Sequence, residues 1–349
     1  MSNAPLKKKS TLTIRDIAKE AGVSPGTVSR VFHSPEMVKP STRERIEKVI
    51  KKHNYIPNLY ASALTTKQTM TIGLIIPTVK NSIHAALIES IQEQCHLEGY
   101  SVLIGNTNYE YEPELKLLEI MLRRRVSGII HAGSLNPDSL QMLRKAAEHQ
   151  IPSIVVWENL DDKEISSIGI NNYDAGYQMT RYLIDRGHRN LGILIGPYDR
   201  MNRLHQRKEG YRQCLEDRGI SFNPRALVKL NHKIRDGASG LRDLMKNAPE
   251  TTAIFAASDV LAFGALFQAR EDGIRVPSDL SLAGFDDIEI ASYSAPALTT
   301  IRVPGGDMGR AAVSELIDRI CSKRVTAKHI CLPTQIIERQ SVQDRSERS

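Results

Sequence analysis

The sequence predicts two folds in one chain: a small all-α helix-turn-helix headpiece, then an α/β core of two doubly wound parallel-sheet subdomains. Three observations predict this. The 349 residues are too many for one compact core. Positive charge is segregated, because residues 1–70 carry 13 Lys/Arg against 5 Asp/Glu while the remainder carries 34 against 35. Near Met70 the apolar pattern changes from helical spacing to short strand-like runs that alternate with helical segments, and that alternation runs through twice. A basic arm on a neutral body points to a polyanion as the partner of that arm.

Residues 1–11 are polar and basic and read as disordered. From Thr13, the residues Ile14, Ile17, Ala18 and Ala21 fall at helical spacing and give one apolar face. Gly22 ends that helix. In "AGVSPGTVSRVFH", Ser24 is a good N-cap and Pro25 suits the first helical position, where its missing N–H costs nothing. Val28 and Val31 then face the first helix. Ser41-Thr42-Arg43-Glu44 reads as a capping box opening a third helix, whose Ile46, Val49 and Ile50 close a three-helix core. Pro57 ends it by disfavouring helix at Ile56. The stretch Leu59–Thr71 reads as a linker, in which 59–64 has the length of a helix too short to be stable alone.

In the core, "TIGLIIPT", "SVLIGNT", "SGIIHAGS" and "IPSIVVWEN" read as strands separated by helices near 83–98, 112–125 and 137–149. A second series, "SSIGINN", "NLGILIGP", "TAIFAASD" and "LSLAGFDD", is separated by helices near 172–187, 203–218 and 259–272. "LTTIRVP", a helix near 305–322 and "TQIIERQS" read as a return crossing. Ligands of such sheets bind beyond the carboxyl ends of the strands, here the cleft between the subdomains.

Several function classes are excluded. No apolar run approaches the roughly 20 residues that cross a bilayer. "MSNAPLKKKS" has no apolar stretch behind its basic residues, so a signal peptide is not expected and the protein is placed in the cytoplasm. Cys95, Cys214, Cys321 and Cys331 form no CxxC pair, which fits reduced thiols and no zinc site. There is no G-x-G-x-x-G after the first strand, no P-loop, no nucleophile elbow and no histidine pair at zinc spacing. No catalytic residue, metal or cofactor is expected.

The segment "TIRDIAKEAGVSPGTVSRVFH…VKPSTRERIEKVIKKHNYIPNLYASAL" resembles the DNA-binding headpiece of the lac repressor (LacI/GalR) family of bacterial regulators. "SDVLAFGAL", "LSLAGFDD", "PALTTIRVP", "MGRAAVSELIDRI" and "LPTQIIERQSV" resemble that family's effector-binding core. The resemblance implies a periplasmic-binding-protein-like core and the following organisation: headpiece 1–57; hinge helix and linker 58–70; core 71–341, with one subdomain of about 71–169 and 302–331 and another of about 170–301 and 332–341; and a polar tail 342–349. It also implies a sequence-specific DNA-binding regulator, a repressor, controlled by a small molecule. The tail "SVQDRSERS" has no heptads, so a homodimer on a pseudo-palindromic operator is expected.

Residue roles follow from the resemblance. Arg30 can bond guanine O6 and N7 together. Thr27 and Ser29 suit phosphate or thymine-methyl contact. Pro25 and Gly26 occupy positions that carry base-reading side chains in the family, and neither can donate or accept from a side chain. Thr13, Ser24, Ser34, Asn54 and Tyr55 are candidate phosphate contacts, which position without specifying. Leu64 matches the hinge leucine that wedges between base steps, and Ala61 is small enough for two hinge helices to pack. In the core, Arg207 matches the arginine that bonds effector oxygens and Asp286 the acidic residue of the cleft. Phe255 and Trp157 stand at strand ends, where a ring can stack on a ring. Ile83, His84, Asn171, Arg200 and Ser258 fall at other cleft positions. With Arg203 and His205 also near, the cleft leans to a sugar, a sugar acid or phosphate, with a nucleoside-type ligand also open. The competing reading is a periplasmic-type sugar-binding protein without DNA binding; the basic headpiece and the N-terminus argue against it.

Overall fold

The computed structural model describes residues 12–33, 35–55, 69–133 and 135–346. They belong to two units, divided between Thr69 and Met70.

In the first unit, α1 (Ile14–Ala21), α2 (Pro25–His33) and α3 (Pro40–His53) enclose Ile17, Ala18, Ala21, Val28, Val31, Val38, Ile46 and Val49. The turn after α1 depends on Gly22, whose φ of 63° is the left-handed conformation that closes a helix at low cost. At the head of α2 the Ser24 hydroxyl accepts from Thr27 N at 3.2 Å and shares a 2.9 Å hydrogen bond with the Thr27 hydroxyl. A cap of this kind is worth ~1 kcal/mol. The expected capping box at Ser41–Glu44 does not open α3. The helix starts two residues earlier at Pro40, with Lys39 rather than Ser41 as N-cap, because the fixed φ of proline presets the first turn. Nor does α3 run to Pro57: it stops at Asn54, which takes the left-handed conformation at φ 47°. Glu20 of α1 ties in the other end of α3, pairing with Lys52 at 2.7 Å and His53 at 2.6 Å.

The second unit contains two parallel sheets. The first has strand order β11-β5-β4-β3-β1-β2, built from β1 (Thr71–Ile76), β2 (Ser101–Asn106), β3 (Gly128–His131), β4 (Ser153–Trp157), β5 (Ser166–Ile170) and β11 (His329–Leu332). The second has order β7-β6-β8-β9, from β6 (Leu191–Ile195), β7 (Leu227–Lys229), β8 (Ala253–Ala256) and β9 (Ser281–Ala283). β10 (Thr300–Arg302) and β12 (Gln335–Ile337) form a separate antiparallel pair. Central strands β1, β3, β4, β6 and β8 are almost wholly buried, as expected of parallel strands covered on both faces. The covering helices of the first lobe are α4 (Ser82–Leu97), α5 (Tyr111–Arg123), α6 (Pro137–Glu148) and α11 (Gly305–Ser322). Those of the second are α7 (Asn172–Asp185), α8 (Asn202–Asp217), α9 (Ile234–Asn247) and α10 (Asp259–Glu271).

Three elements add to the expected set: β7, α9 and β11. β7 is a three-residue edge strand, too short to show a period. α9 carries Gly237 and Gly240, which read as loop by propensity. Their use is in packing. A Cβ at Gly237 would collide with the carbonyl oxygen of Leu261, and one at Gly264 with that of Ile234, so α9 and α10 cross backbone to backbone. Gly176 and Gly210 play the same part between α7 and α8, against the backbone of Arg207 and Tyr173. That close crossing fixes the head of α8 beside the head of α7, where the core's charged residues gather.

Candidate functional site

On the first unit, the surface of α2 is what a groove would meet. Ser24, Pro25, Gly26 and Arg30 are exposed, and Thr27 and Ser29 partly so, while Val28 and Val31 are spent on the core. A Cβ at Gly26 would have only the Ser24 hydroxyl within 4 Å, so the leading turn of α2 is open as well as apolar. Thr13 caps α1: its backbone N–H and its hydroxyl both donate to Asp16 Oδ2, at 2.9 and 2.7 Å, which holds that carboxyl below its usual range. Asn54 is the exposed left-handed cap of α3, and Tyr55 packs partly buried against the helical core. Ser34, Ala61, Leu64 and the expected hinge helix lie outside the described residues.

On the second unit, the carboxyl ends of strands from both sheets bring one buried polar cluster together. From the first lobe come Ile83 and His84 in the opening turn of α4, Tyr109 after β2, Gly133 after β3, and Trp157 and Glu158 at the end of β4. From the second come Asn202, Arg203 and Arg207 of α8, His232 after β7, Ala257 after β8, and Phe285 and Asp286 after β9. Asn172 opens α7 between them.

Arg207 anchors the cluster. It is 7% exposed; its Nε donates to Asn172 Oδ1 and one terminal nitrogen to the Ala257 carbonyl, each at 2.9 Å. Its guanidinium carbon lies 3.5 Å from the centre of the Phe285 ring. Burial pulls its pKa down to about 9, against the opposing pull of Asp286. Asp286 is held at φ 121°, and burial pushes its carboxyl up to about 7 although Arg207 and Arg203 favour its charge. Asp259, at the head of α10, is buried too; it accepts from the Thr300 hydroxyl at 2.6 Å and from Ile288 N at 2.9 Å. Burial, then the neighbouring Asp286, raises its pKa.

The aromatic wall is continuous across the lobes. The His84 ring meets Trp157 edge-on at 5.7 Å and its Nε2 lies 3.4 Å from the Tyr109 hydroxyl. Tyr109 in turn stacks on His232 of the other lobe at 5.7 Å. Burial, followed by the charge of Arg203, pushes His84 down to about 3 and His232 to about 4, so both are neutral at physiological pH. Arg203 bridges the lobes as well, 3.4 Å from the Gly133 carbonyl and 3.9 Å from a Glu158 oxygen, while Asn202 donates to the other Glu158 oxygen at 3.3 Å.

Ile83, His84, Trp157, Arg207 and Asp286 therefore come together. Phe255 is fully buried within β8, and Ser258 caps α10, accepting from Leu261 N. Asn171 caps α7, accepting from Asp174 N at 3.0 Å; its neighbour Asn172 makes the contact to Arg207. Arg200 is exposed in the loop after β6. Sequence reasoning passed over Tyr109, Glu158, Asn172 and His232. Tyr109 had a signal, since it follows a strand end directly; His232 sits in the turn between the two missed elements β7 and α9. Among the described residues, no group of three or more His, Cys, Asp or Glu could hold a metal, and no helix is long and apolar enough to cross a membrane.

This geometry has close counterparts. Residues 13–58 match the family described as bacterial regulatory proteins, lacI family, and 180–342 match the periplasmic binding protein-like domain. The chain is 34% identical over 333 residues to the HTH-type transcriptional repressor PurR of Klebsiella pneumoniae subsp. pneumoniae, spanning 95% of this chain and 97% of that one. PurR of Proteus mirabilis is 34% identical over the same shares. The fold is similar to the lac repressor dimer bound to operator and the anti-inducer ONPF, with TM-score 0.82 and 26% identity over 96% of this chain and 100% of that one. It is also similar to the transcriptional regulator CelR in its cellobiose complex, with TM-score 0.72 and 28% identity over 95% and 99%.

Proposed function

The chain belongs to the lacI family of bacterial regulatory proteins, a DNA-binding transcriptional repressor with an effector-binding core, and from that premise we propose which residues read DNA and which sense the effector. As a homodimer in the cytoplasm it binds a pseudo-palindromic operator with α2 of each headpiece in the major groove. Arg30 reads a guanine. Thr27 and Ser29 add phosphate or methyl contacts; Thr13, Ser24, Ser34, Asn54 and Tyr55 grip the backbone; and Pro25 and Gly26 let the helix approach closely. Leu64 wedges the minor groove at a hinge packed through Ala61. The boundaries proposed are headpiece 1–57, hinge 58–70 and core 71–341, with the core changing lobe at about 169/170, 301/302 and 331/332.

The effector is a small polar molecule, a sugar, sugar acid or phosphate, or nucleoside, held between the lobes by Arg207 and Asp286 with His84 and Trp157. Ile83, Asn171, Arg200, Phe255 and Ser258 shape or border the same cleft. The observation that carries this reading is the set of contacts spanning the lobes: Tyr109 on His232, Asn202 on Glu158, and Arg203 on Gly133. A ligand that makes or breaks them changes the angle between the lobes. Its effect on operator affinity equals the operator's effect on its own affinity, typically about 1–3 kcal/mol of coupling. The role is regulatory, not enzymatic.

The test is duplex-DNA binding by fluorescence anisotropy across a salt series. Affinity should fall steeply with salt and vanish on deletion of residues 1–70. Undiminished DNA binding by the deleted chain would sink this reading.

A further inference from the structure

We infer that the effector is an anion, with a carboxylate or phosphate received by Arg203, and that Arg203 is the residue selecting it over its neutral parent compound. This rests on the cleft being the effector site and narrows what enters it.

A census of donors and acceptors around the cleft carries the argument. Several of the cleft's acceptors are already engaged. Asn172 Oδ1 and the Ala257 carbonyl serve Arg207, the Gly133 carbonyl faces Arg203, and Glu158 Oε2 serves Asn202. The Trp157 carbonyl accepts from Asn172 Nδ2 at 3.4 Å. On the other side of the account, the Trp157 indole N–H is buried with no hydrogen-bond partner among the described residues. An indole nitrogen can only donate. Leaving such a donor buried and unmet is costly, and a ligand acceptor removes that cost.

Charge points the same way. Arg203 is 8% exposed and its contacts at 3.4 and 3.9 Å are at the outer limit of a hydrogen bond and an ion pair. Its charge reaches every titratable ring of the cluster, lowering His84 and His232. Two guanidiniums, Arg203 and Arg207, face Glu158 and an Asp286 whose carboxyl is pushed by burial toward its neutral form, with both histidines uncharged. Arg203 lacks a close acceptor, and a carboxylate or phosphate supplies one together with a negative charge. Guanidinium suits such a group because its planar fork can meet two oxygens at once.

The experiment measures ligand affinity of the full chain by calorimetry, with thermal shift as a first screen, over matched sets: glucose, gluconate and glucose phosphate; ribose, ribonate and ribose phosphate; adenosine and AMP. Acid and phosphate arms separate the two sources of anionic charge. At least one anionic compound should bind at least about tenfold more tightly than its neutral parent. Arg203→Gln should weaken that compound by about 10- to 100-fold and the neutral parent by far less, while Arg203→Lys keeps part of the preference. The melting temperature of each unliganded variant confirms that it folds. Neutral parents binding as tightly as their anions, silence from every anionic compound, or unchanged anion binding by folded Arg203→Gln would each overturn the inference. The regulatory reading is judged separately, by the operator-binding measurement.

Discussion

Arg30 and Arg207 both sit on helices, yet their surroundings are opposite. Arg30 is exposed on α2, over a small helical core that needs nothing from it. Arg207 is sealed under α7 and α8, with two hydrogen bonds, an aromatic ring beneath it and a pKa pulled down to about 9. An exposed guanidinium keeps its hydration until a partner arrives, so its effect is read through salt and through discrimination between partners. A buried one has already been desolvated, so its position is fixed and its removal strands the groups around it. One chain thus holds a recognition surface built from solvated charge and a sensing site built from charge without water.

The largest expected effect follows from that contrast. Arg207→Met removes a buried cation but leaves Asn172 Oδ1, the Ala257 carbonyl and Asp286 without it. Unfolding of the core should be easier by about 3–5 kcal/mol, and any small molecule that shifts wild-type operator affinity should lose its effect. Arg30→Met, as the matched exposed change, should move stability by less than about 0.5 kcal/mol. Equal losses from the two variants in thermal unfolding would break the comparison.

Acid and base should also separate the regions. Asp286, raised to about 7, contributes stability that is full below about pH 4 and is lost as pH rises through 7. His84, depressed to about 3, contributes stability that is present above pH 6.5 and is lost as pH falls toward 3. Asp286→Asn should therefore remove a fall in the core's stability between about pH 4 and 7, and His84→Gln should remove part of the opposite loss as pH falls from 6.5 toward 3. His188 and His232, both depressed to about 4, add to the acid loss, as do core carboxylates held low by hydrogen bonds, such as Asp279. In the headpiece, Asp16 and Glu20 are lowered by hydrogen bonds from Thr13 and from Lys52 and His53, so its profile should bend only at the carboxylate end. A core profile unchanged in both variants would show that the cleft holds more water than its burial implies.

How legible each region was in the sequence has a physical cause. Helical spacing and turn residues placed α1 and α2, because a small three-helix core leaves each apolar residue one possible face. The central strands of both sheets were equally plain, since parallel strands buried on two sides leave unbroken apolar runs such as "TIGLII" and "LGILI", whereas the edge strands β7 and β11 leave none. What escaped was decided by packing between distant segments. Gly237 and Gly240 disfavour helix by propensity, and their use lies in packing: α10 passes against the backbone at Gly237, and the Leu230 and Leu194 side chains lie against Gly240. The first turn of α3 was misplaced by two residues because Pro40 outweighed the Ser41–Glu44 pattern. In the cleft, residue type was enough for Arg207 and Asp286, which a resemblance can carry. Tyr109, His232 and Glu158 matter only through partners on the opposite lobe, and no local pattern records such a pairing.

Discrimination, rather than affinity alone, is the next effect in size. Arg30→Ala should relax operator specificity by about 1–3 kcal/mol at one base pair per half-site, measured as the ratio of affinities for the wild-type operator and for operators changed at each position. A uniform loss on every sequence would place Arg30 on phosphate instead, and the exposed region would then specify through shape and the hinge.

Gly26→Ala gives the smallest effect and the sharpest test of why the leading turn of α2 is bare. Gly26 lies inside a helix with open space around it, so alanine should stabilise the headpiece by about 0.5–1 kcal/mol in thermal unfolding. If glycine is there so that the backbone can approach the groove, operator affinity should fall in the same variant, in the opposite direction to stability. At the helix crossings the sign of stability reverses: alanine at Gly264 would meet the Ile234 carbonyl oxygen and must destabilise. A Gly26→Ala chain that gains stability and binds operator as before would show that the bare turn carries no function in reading DNA, leaving Arg30 and its neighbours to do so.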